Sequence, residues 1–319
     1  MSIKRIVWAL DAFQEDDALL RNSVRVIRSF QKSAPALVEP VYILTPAQLN
    51  LAVDLTAPWL QQYRPAAEAA LRARIAKFRI PDALPPHVIV MNFSSTLQSV
   101  QALSAYAASS EADLILASSH GRTGLSRVFL GSFSETLLIQ SKVPVFAVGP
   151  GIRKVRPFNH ILFPTEFGPN SKTIFRYVVR LAKSVGAKLT LFHAVPHPVE
   201  PVFQTGVYLL GGAWIPTREF VSKETERRRA HAEAWRRWAE EQGVKTDVIV
   251  DIISENIADA IILLADEKKA GFIAMEAQTG PIASVLIGSI TRQVVRHAHC
   301  PVWVLRAAML EEKRLKAAA

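Results

Sequence analysis

The chain has 319 residues, 50% of them hydrophobic and 21% charged, and a single cysteine, Cys300. Those proportions exclude a disordered or low-complexity chain, and the lone cysteine excludes an internal disulfide framework and a Cys-rich zinc site. The net charge of +10 is uneven, with 14 Lys+Arg against 11 Asp+Glu in residues 1–152 and 24 against 17 in residues 153–319. Such a surplus permits acidic partners, whether nucleotides, nucleic acid or anionic membrane, without choosing among them. Asp11 interrupts the N-terminal apolar run well short of a signal peptide. No apolar run approaches the roughly 20 residues a membrane helix needs. The expectation is a soluble, cytoplasmic protein.

In chain order, strands are expected at 4–10, 38–44, 87–93, 112–118 and 144–148, with helices at 14–32, 62–79, 96–109 and 132–141. After the turn-rich stretch Gly149 to Lys154, strands follow near 159–164, 187–194, 246–252, 271–275 and 301–305. Their helices fall near 170–185, 217–242, 255–268 and 288–298. Short, β-rich apolar runs without alternation suit parallel strands buried on both faces. The alternation of strand and helix argues for an open, doubly wound α/β sheet of five strands in each half.

The two halves are copies. Ile6 to Asp11 matches Ile161 to Glu166 at an offset of 155 residues; Lys142 to Val148 matches His299 to Leu305 at 157; Leu130 to Ser134 matches Ile287 to Thr291, also at 157. Residues 1–150 form the first domain, 155–307 the second, and 308–319 a tail that reads as a frayed helix.

Ligands of such sheets bind beyond the carboxyl ends of the strands, at the point where strand order reverses. Asp11 closes the first strand. The fourth runs into Ser118-Ser-His-Gly-Arg-Thr-Gly-Leu-Ser-Arg127, then Gly131-Ser132-Phe-Ser134. Gly121 and Gly124 permit close approach of backbone to a ligand. Gly131 and Ser132 open the fourth helix, where free N–H groups and the helix dipole suit a phosphate. Arg122 and Arg127 add positive charge, and Asp11 offers an acceptor to a ribose or an adenine. A structural turn with an ordinary helix cap is the competing reading.

The run from Ser118 to Ser132, followed by Pro144-Val-Phe-Ala-Val148, resembles the signature of the universal stress protein family. Nucleotide-binding members of that family carry Gly-x2-Gly-x9-Gly-Ser/Thr; the corresponding residues here are Ser118, Gly121, Gly131 and Ser132, with serine replacing the first glycine. The resemblance covers both copies and implies a tandem protein with flavodoxin-like domains. It implies ATP as ligand, with or without Mg2+. It places Asp11 at the nucleoside, Gly121, Arg122, Gly131, Ser132 and Ser134 at the phosphates, and the backbones of Leu44 and Ala117 near the adenine. In the second copy Pro164, Thr165 and Glu166 match the first-strand ending, while Gly288, Ser289 and Thr291 match the helix start. Met275 and Gln278 take the first two glycine positions, so a degenerate second site is expected. The family's habit of pairing through the last strand implies a pseudo-dimer within this chain or a homodimer, with protein partners unknown.

Other features read as structural. His297-Ala-His-Cys300 ends a helix at a Cys-Pro-Val junction and is not taken as a metal site, and Cys300 is a packed thiol. His120 is given a ligand-orienting or structural role over that of a general base. Arg227 to Arg229 and Arg236-Arg237 interleave with glutamates as a solvated helix face, and Trp235 and Trp238 of the same helix face the core. The apolar stretch Phe203 to Pro216 has three readings, a lid, an apolar-ligand wall or, by default, an interdomain seam. With no Walker A motif and no catalytic constellation, activity is limited to slow ATP hydrolysis at most. The rival functions are an interaction or apolar-ligand module and, last, a nucleic-acid binder, which lacks an aromatic-basic platform.

Overall fold

The computed structural model describes residues 3–13, 17–33, 35–46, 57–118, 131–149, 151–152, 155–168, 170–196, 207–208, 214–215, 217–253, 256–277 and 288–310. The first half contains β1 (Arg5–Ala9), α1 (Asp17–Gln31), β2 (Leu37–Leu44), α2 (Ala57–Phe78), β3 (His87–Val90), α3 (Thr96–Ser109), β4 (Leu114–Ser118), α4 (Ser132–Gln140) and β5 (Val145–Val148). The second contains β6 (His160–Pro164), α5 (Ser171–Val185), β7 (Lys188–Pro196), the short β8 (Val207–Tyr208) and β9 (Trp214–Ile215), α6 (Thr217–Glu241), β10 (Thr246–Ile253), α7 (Ile257–Glu267), β11 (Phe272–Glu276), α8 (Ser289–His297) and β12 (Val302–Leu305). Several boundaries differ by a few residues from expectation, most at α2. The third strand stops at Val90, and α2 starts five residues earlier than its pattern suggests, carrying Pro65 in its interior.

Ten of the strands form one sheet, ordered β10-β7-β6-β11-β12-β5-β4-β1-β2-β3, and β8 and β9 pair separately. Within each half every pairing of this sheet is parallel, and the halves meet where β5 and β12 run antiparallel with Trp303 opposite Phe146. All five residues of β4 are buried, and β12 is likewise buried throughout, as two covered faces require. Alternate residues serve the two layers: Ile6, Trp8, Leu116 and Phe146 pack with α1, α2, α5 and α6, whereas Val7, Ile115, Ala117 and Val145 pack with α3, α4, α7 and α8. Among the described residues no helix is long and apolar enough to cross a membrane.

The connection between the halves is packed into the fold. Ile152, Val155 and Phe158 are buried, and the Asn22 amide donates to the Ile152 carbonyl at 2.8 Å. Phe158 stacks its edge against Phe30 and Phe272, at centroid distances of 5.0 Å to each. Helices α4 and α8 are also tied across the junction: Glu135 accepts from Arg296 and lies 3.6 Å from Arg292, and Arg306 donates to the Ile139 carbonyl at 2.6 Å.

Three half-buried or buried histidines are expected to make the fold acid-sensitive. Burial, the largest cause in each case, holds His87, His160 and His193 below the ordinary imidazole value. A carbonyl only accepts, so His160 donates through Nδ1 to Lys268 at 2.7 Å and takes the Thr190 hydroxyl on Nε2 at 2.8 Å, as a neutral ring must. Unfolding releases these rings to titrate near about 6.5, so the unfolded chain binds more protons in the window below that value. Their contribution to stability is therefore complete above about pH 6.5 and is lost as pH drops through the folded-state values. The urea midpoint should decline between about pH 7 and pH 5, less steeply in His160→Gln; a flat profile would contradict this reading.

Candidate functional site

Strand order reverses between β1 and β4 in the first half and between β6 and β11 in the second. In the first half, Asp11 follows β1 and its Oδ1 accepts the Phe13 N–H at 2.9 Å, fixing the turn that leaves the strand. Ala117 is buried on the α3 and α4 side of β4. Ser118 takes the other side, where its hydroxyl lies 2.6 Å from that of Ser23 on α1. The serine that replaces the first glycine of the signature is thus absorbed by packing beneath α1. Leu44 ends β2 with its side chain buried and its carbonyl taken by the Met91 N–H at 2.9 Å.

Gly131 is the N-cap of α4 in an extended conformation and, with no side chain, offers the first N–H groups of the helix no cap of its own. By contrast, Ser95 caps α3 at Gln98, and Asn256 caps α7 at Ala258. Ser132 opens the helix and Ser134 is buried in its first turn. Gly121, Arg122, Arg127 and His120 lie outside the described residues.

In the second half the matching residues line a cleft of about 690 Å³. Pro164, Thr165, Glu166, Gly288, Ser289 and Thr291 all contribute to its wall, joined by Phe192, His193, Ile257, Ile261, Met275 and Glu276. Thr165 organises the turn after β6: its hydroxyl accepts the Phe167 N–H at 3.1 Å, and its carbonyl accepts His193 Nδ1 at 2.7 Å. Phe167 adopts a left-handed φ of 56°, a strained position for an aromatic residue, and packs its ring edge-on against Trp235 at 5.0 Å. Trp235 stacks on Phe175 at 4.5 Å, so the long helix does turn its tryptophans inward. Gly288 caps α8 as Gly131 caps α4, again with no side-chain acceptor. Gln278 is outside the described residues.

Pairing within the sheet corrects one correspondence. Ile6 pairs with Leu114, and its counterpart Ile161 pairs with Phe272, so Ser118 corresponds to Glu276 and not to Met275. The loop from β11 to α8 is one residue shorter than that from β4 to α4, and an offset counted from the Gly-Ser pair hides the slip. Glu276 was missed on sequence for this reason. Its carboxylate accepts the Ser171 hydroxyl at 2.5 Å, and its carbonyl lies 3.4 Å from the Thr291 hydroxyl in the first turn of α8. Burial, reinforced by Glu166, raises the Glu276 carboxyl above the usual range against that hydrogen bond.

The remaining charges do not make this cleft basic. Arg228 is committed to Glu224 at 2.6 Å and to the Glu166 carbonyl at 2.9 Å. The positive surplus of the second half therefore lies elsewhere. His299 pairs with Asp266 at 2.5 Å, and Cys300 is buried, which pushes its thiol up to about 12. Of the apolar stretch 203–216, only β8 and β9 are described, paired antiparallel; the rest lies outside the described residues.

A tandem pair of doubly wound α/β units joined edge to edge, each with a glycine-capped helix at its switch point, defines the class of protein. The model of the universal stress protein family matches residues 2–149 and again 157–306, and the chain belongs to that family. A universal stress protein of Methanocaldococcus jannaschii is 26% identical over 151 residues, spanning 47% of this chain and 82% of its own length. Among solved structures, a universal stress protein from Archaeoglobus fulgidus superposes with a TM-score of 0.61 at 18% identity, covering 94% of this chain and 96% of that one. A protein of unknown function from Pseudomonas aeruginosa PAO1 gives 0.59 at 15% identity, with 99% and 98% covered. At these identities the structural likeness shows the fold alone.

Proposed function

We propose that this universal stress protein is a regulatory binder of adenine nucleotide, taking Mg-ATP at the switch point of its first half and acting in the stress response through nucleotide-dependent association. The observation that carries the reading is the start of α4, where Gly131 gives the helix N-terminus no side-chain cap at the carboxyl ends of the central strands β1 and β4. Asp11 stands at the end of β1 and would offer its carboxylate to a ribose, and Ser132 adds a hydroxyl at the helix start. Gly121 and Arg122 complete the phosphate contacts that the family signature implies. Binding, with at most slow hydrolysis, is the activity proposed.

The test is a titration of the purified, nucleotide-stripped chain with Mg-ATP. Binding that disappears in Gly131→Ala/Ser132→Ala, with the fold retained, supports the site; binding unaffected by that double variant contradicts it. A non-nucleotide interaction module is the second reading. It is favoured by Ser118, whose hydroxyl is spent on Ser23, and it would be preferred if the folded chain bound no nucleotide.

A further inference from the structure

We propose that Glu276 is the specificity-determining residue of the second cleft, closing it to polyphosphates and leaving it for an uncharged ligand that offers hydroxyl or amino donors. The inference rests on the nucleotide reading above for its comparison of the two halves. The cleft itself is built: about 690 Å³, with an apolar wall of Phe192, Ile257, Ile261 and Met275, and with the glycine-capped start of α8 along one side. In placement it matches the switch-point site proposed for the first half. Its charge does not.

Glu276 occupies the strand end where the first half has Ser118, and the two side chains behave alike up to the carboxylate. Each points to the layer of α1 and α5 and meets a serine there, Ser23 in one half and Ser171 in the other. Ser171 is the first residue of α5, whose N-cap Asn170 makes no side-chain cap hydrogen bond. The Glu276 carboxylate therefore sits beside the first residue of α5, bonded to its hydroxyl. Its own carbonyl lies 3.4 Å from Thr291 in the turn of α8 where phosphates would dock. Glu166 and Arg228 line the same cleft, Arg228 in a salt bridge with Glu224. A polyphosphate entering here meets the Glu276 carboxylate in a partly desolvated site, where like-charge repulsion is strong. Hydroxyl or amino donors meet the same oxygens as hydrogen-bond acceptors.

Calorimetric titration at about pH 8, well above the ordinary carboxylate range, separates the charge from the shape. Wild type is expected to bind one Mg-ATP per chain, and Glu276→Gln two, the second equivalent surviving Gly131→Ala/Ser132→Ala. Glu276→Gln keeps the acceptor for Ser171, so the fold is preserved, and the gain in affinity at the second cleft should be at least about tenfold. Glu276→Asp, which keeps the charge, should stay at one. Adenosine, lacking phosphates, should fill the second cleft of wild type. A wild-type chain that already binds ATP in the second half, a Glu276→Gln chain that gains nothing, or failure of adenosine to bind there would overturn the proposal. A chain that binds no ATP until Glu276→Gln admits one equivalent would instead refute the first-half reading and leave this one standing.

Discussion

Replacing Phe272 with alanine is expected to lower the free energy of unfolding by about 3–5 kcal/mol, the range for a fully buried phenylalanine. The ring is 0% exposed and sits where three parts of the chain converge. Its centroid is 5.4 Å from Phe146 on the last strand of the first half, 5.0 Å from Phe158 in the connection, and 6.3 Å from Trp303 on the last strand of the second. Phe30 extends the cluster through Phe146 and Phe158. Such pairs stabilise by about 0.5–1.5 kcal/mol each beyond the area they bury, so truncation removes several at once and opens a cavity that the flanking sheet cannot collapse to fill. Because the cluster joins both halves, both should unfold at lower denaturant together. Urea denaturation followed by tryptophan fluorescence and by circular dichroism measures the loss. A change below about 1 kcal/mol would show that the junction is not a shared core.

Gly271→Ala, one residue earlier, should be nearly as damaging for a different reason. A Cβ at this position would lie 2.4 Å from the Pro157 carbonyl oxygen and 2.9 Å from the Phe158 Cα, both backbone atoms of the connection. The Gly271 N–H donates to the His160 carbonyl at 2.8 Å, so the strand cannot step away without breaking the entry to β11. Overpacking of this kind costs about 3 kcal/mol. The Tm of Gly271→Ala compared with that of Gly243→Ala, which meets nothing within 4 Å but carries a φ of 84°, separates crowding from conformational strain. An unchanged Tm in Gly271→Ala would contradict the close approach of the two segments.

The duplication made most of the fold legible. Buried strands without alternation and the near-constant offset specify two doubly wound units, because parallel strands covered on both faces must be apolar throughout. Chain-local patterns say less about how the units join. The antiparallel contact of β5 with β12 depends on pairing partners more than 150 residues apart, and the connection's Phe158 is recognisable as core only beside Phe30 and Phe272. The candidate sites divide in the same way. Gly131, Ser132, Gly288 and Ser289 announce themselves because a helix start is a local event. Glu276 escaped because one residue lost from a loop shifts the repeat, and only strand register recovers it. Phe167 gives no sequence signal for a positive φ; its backbone is set by the ring's packing on Trp235 and by the Thr165 hydroxyl.

Amide hydrogen exchange with and without Mg-ATP would locate the proposed ligand most directly, since exchange reports protection residue by residue. Nucleotide binding at the first switch point predicts slowed exchange for the N–H groups of residues 131–135 and for the turn after β1, with residues 288–292 unchanged. Protection confined to residues 288–292, or none in either helix start at saturating nucleotide, would contradict it.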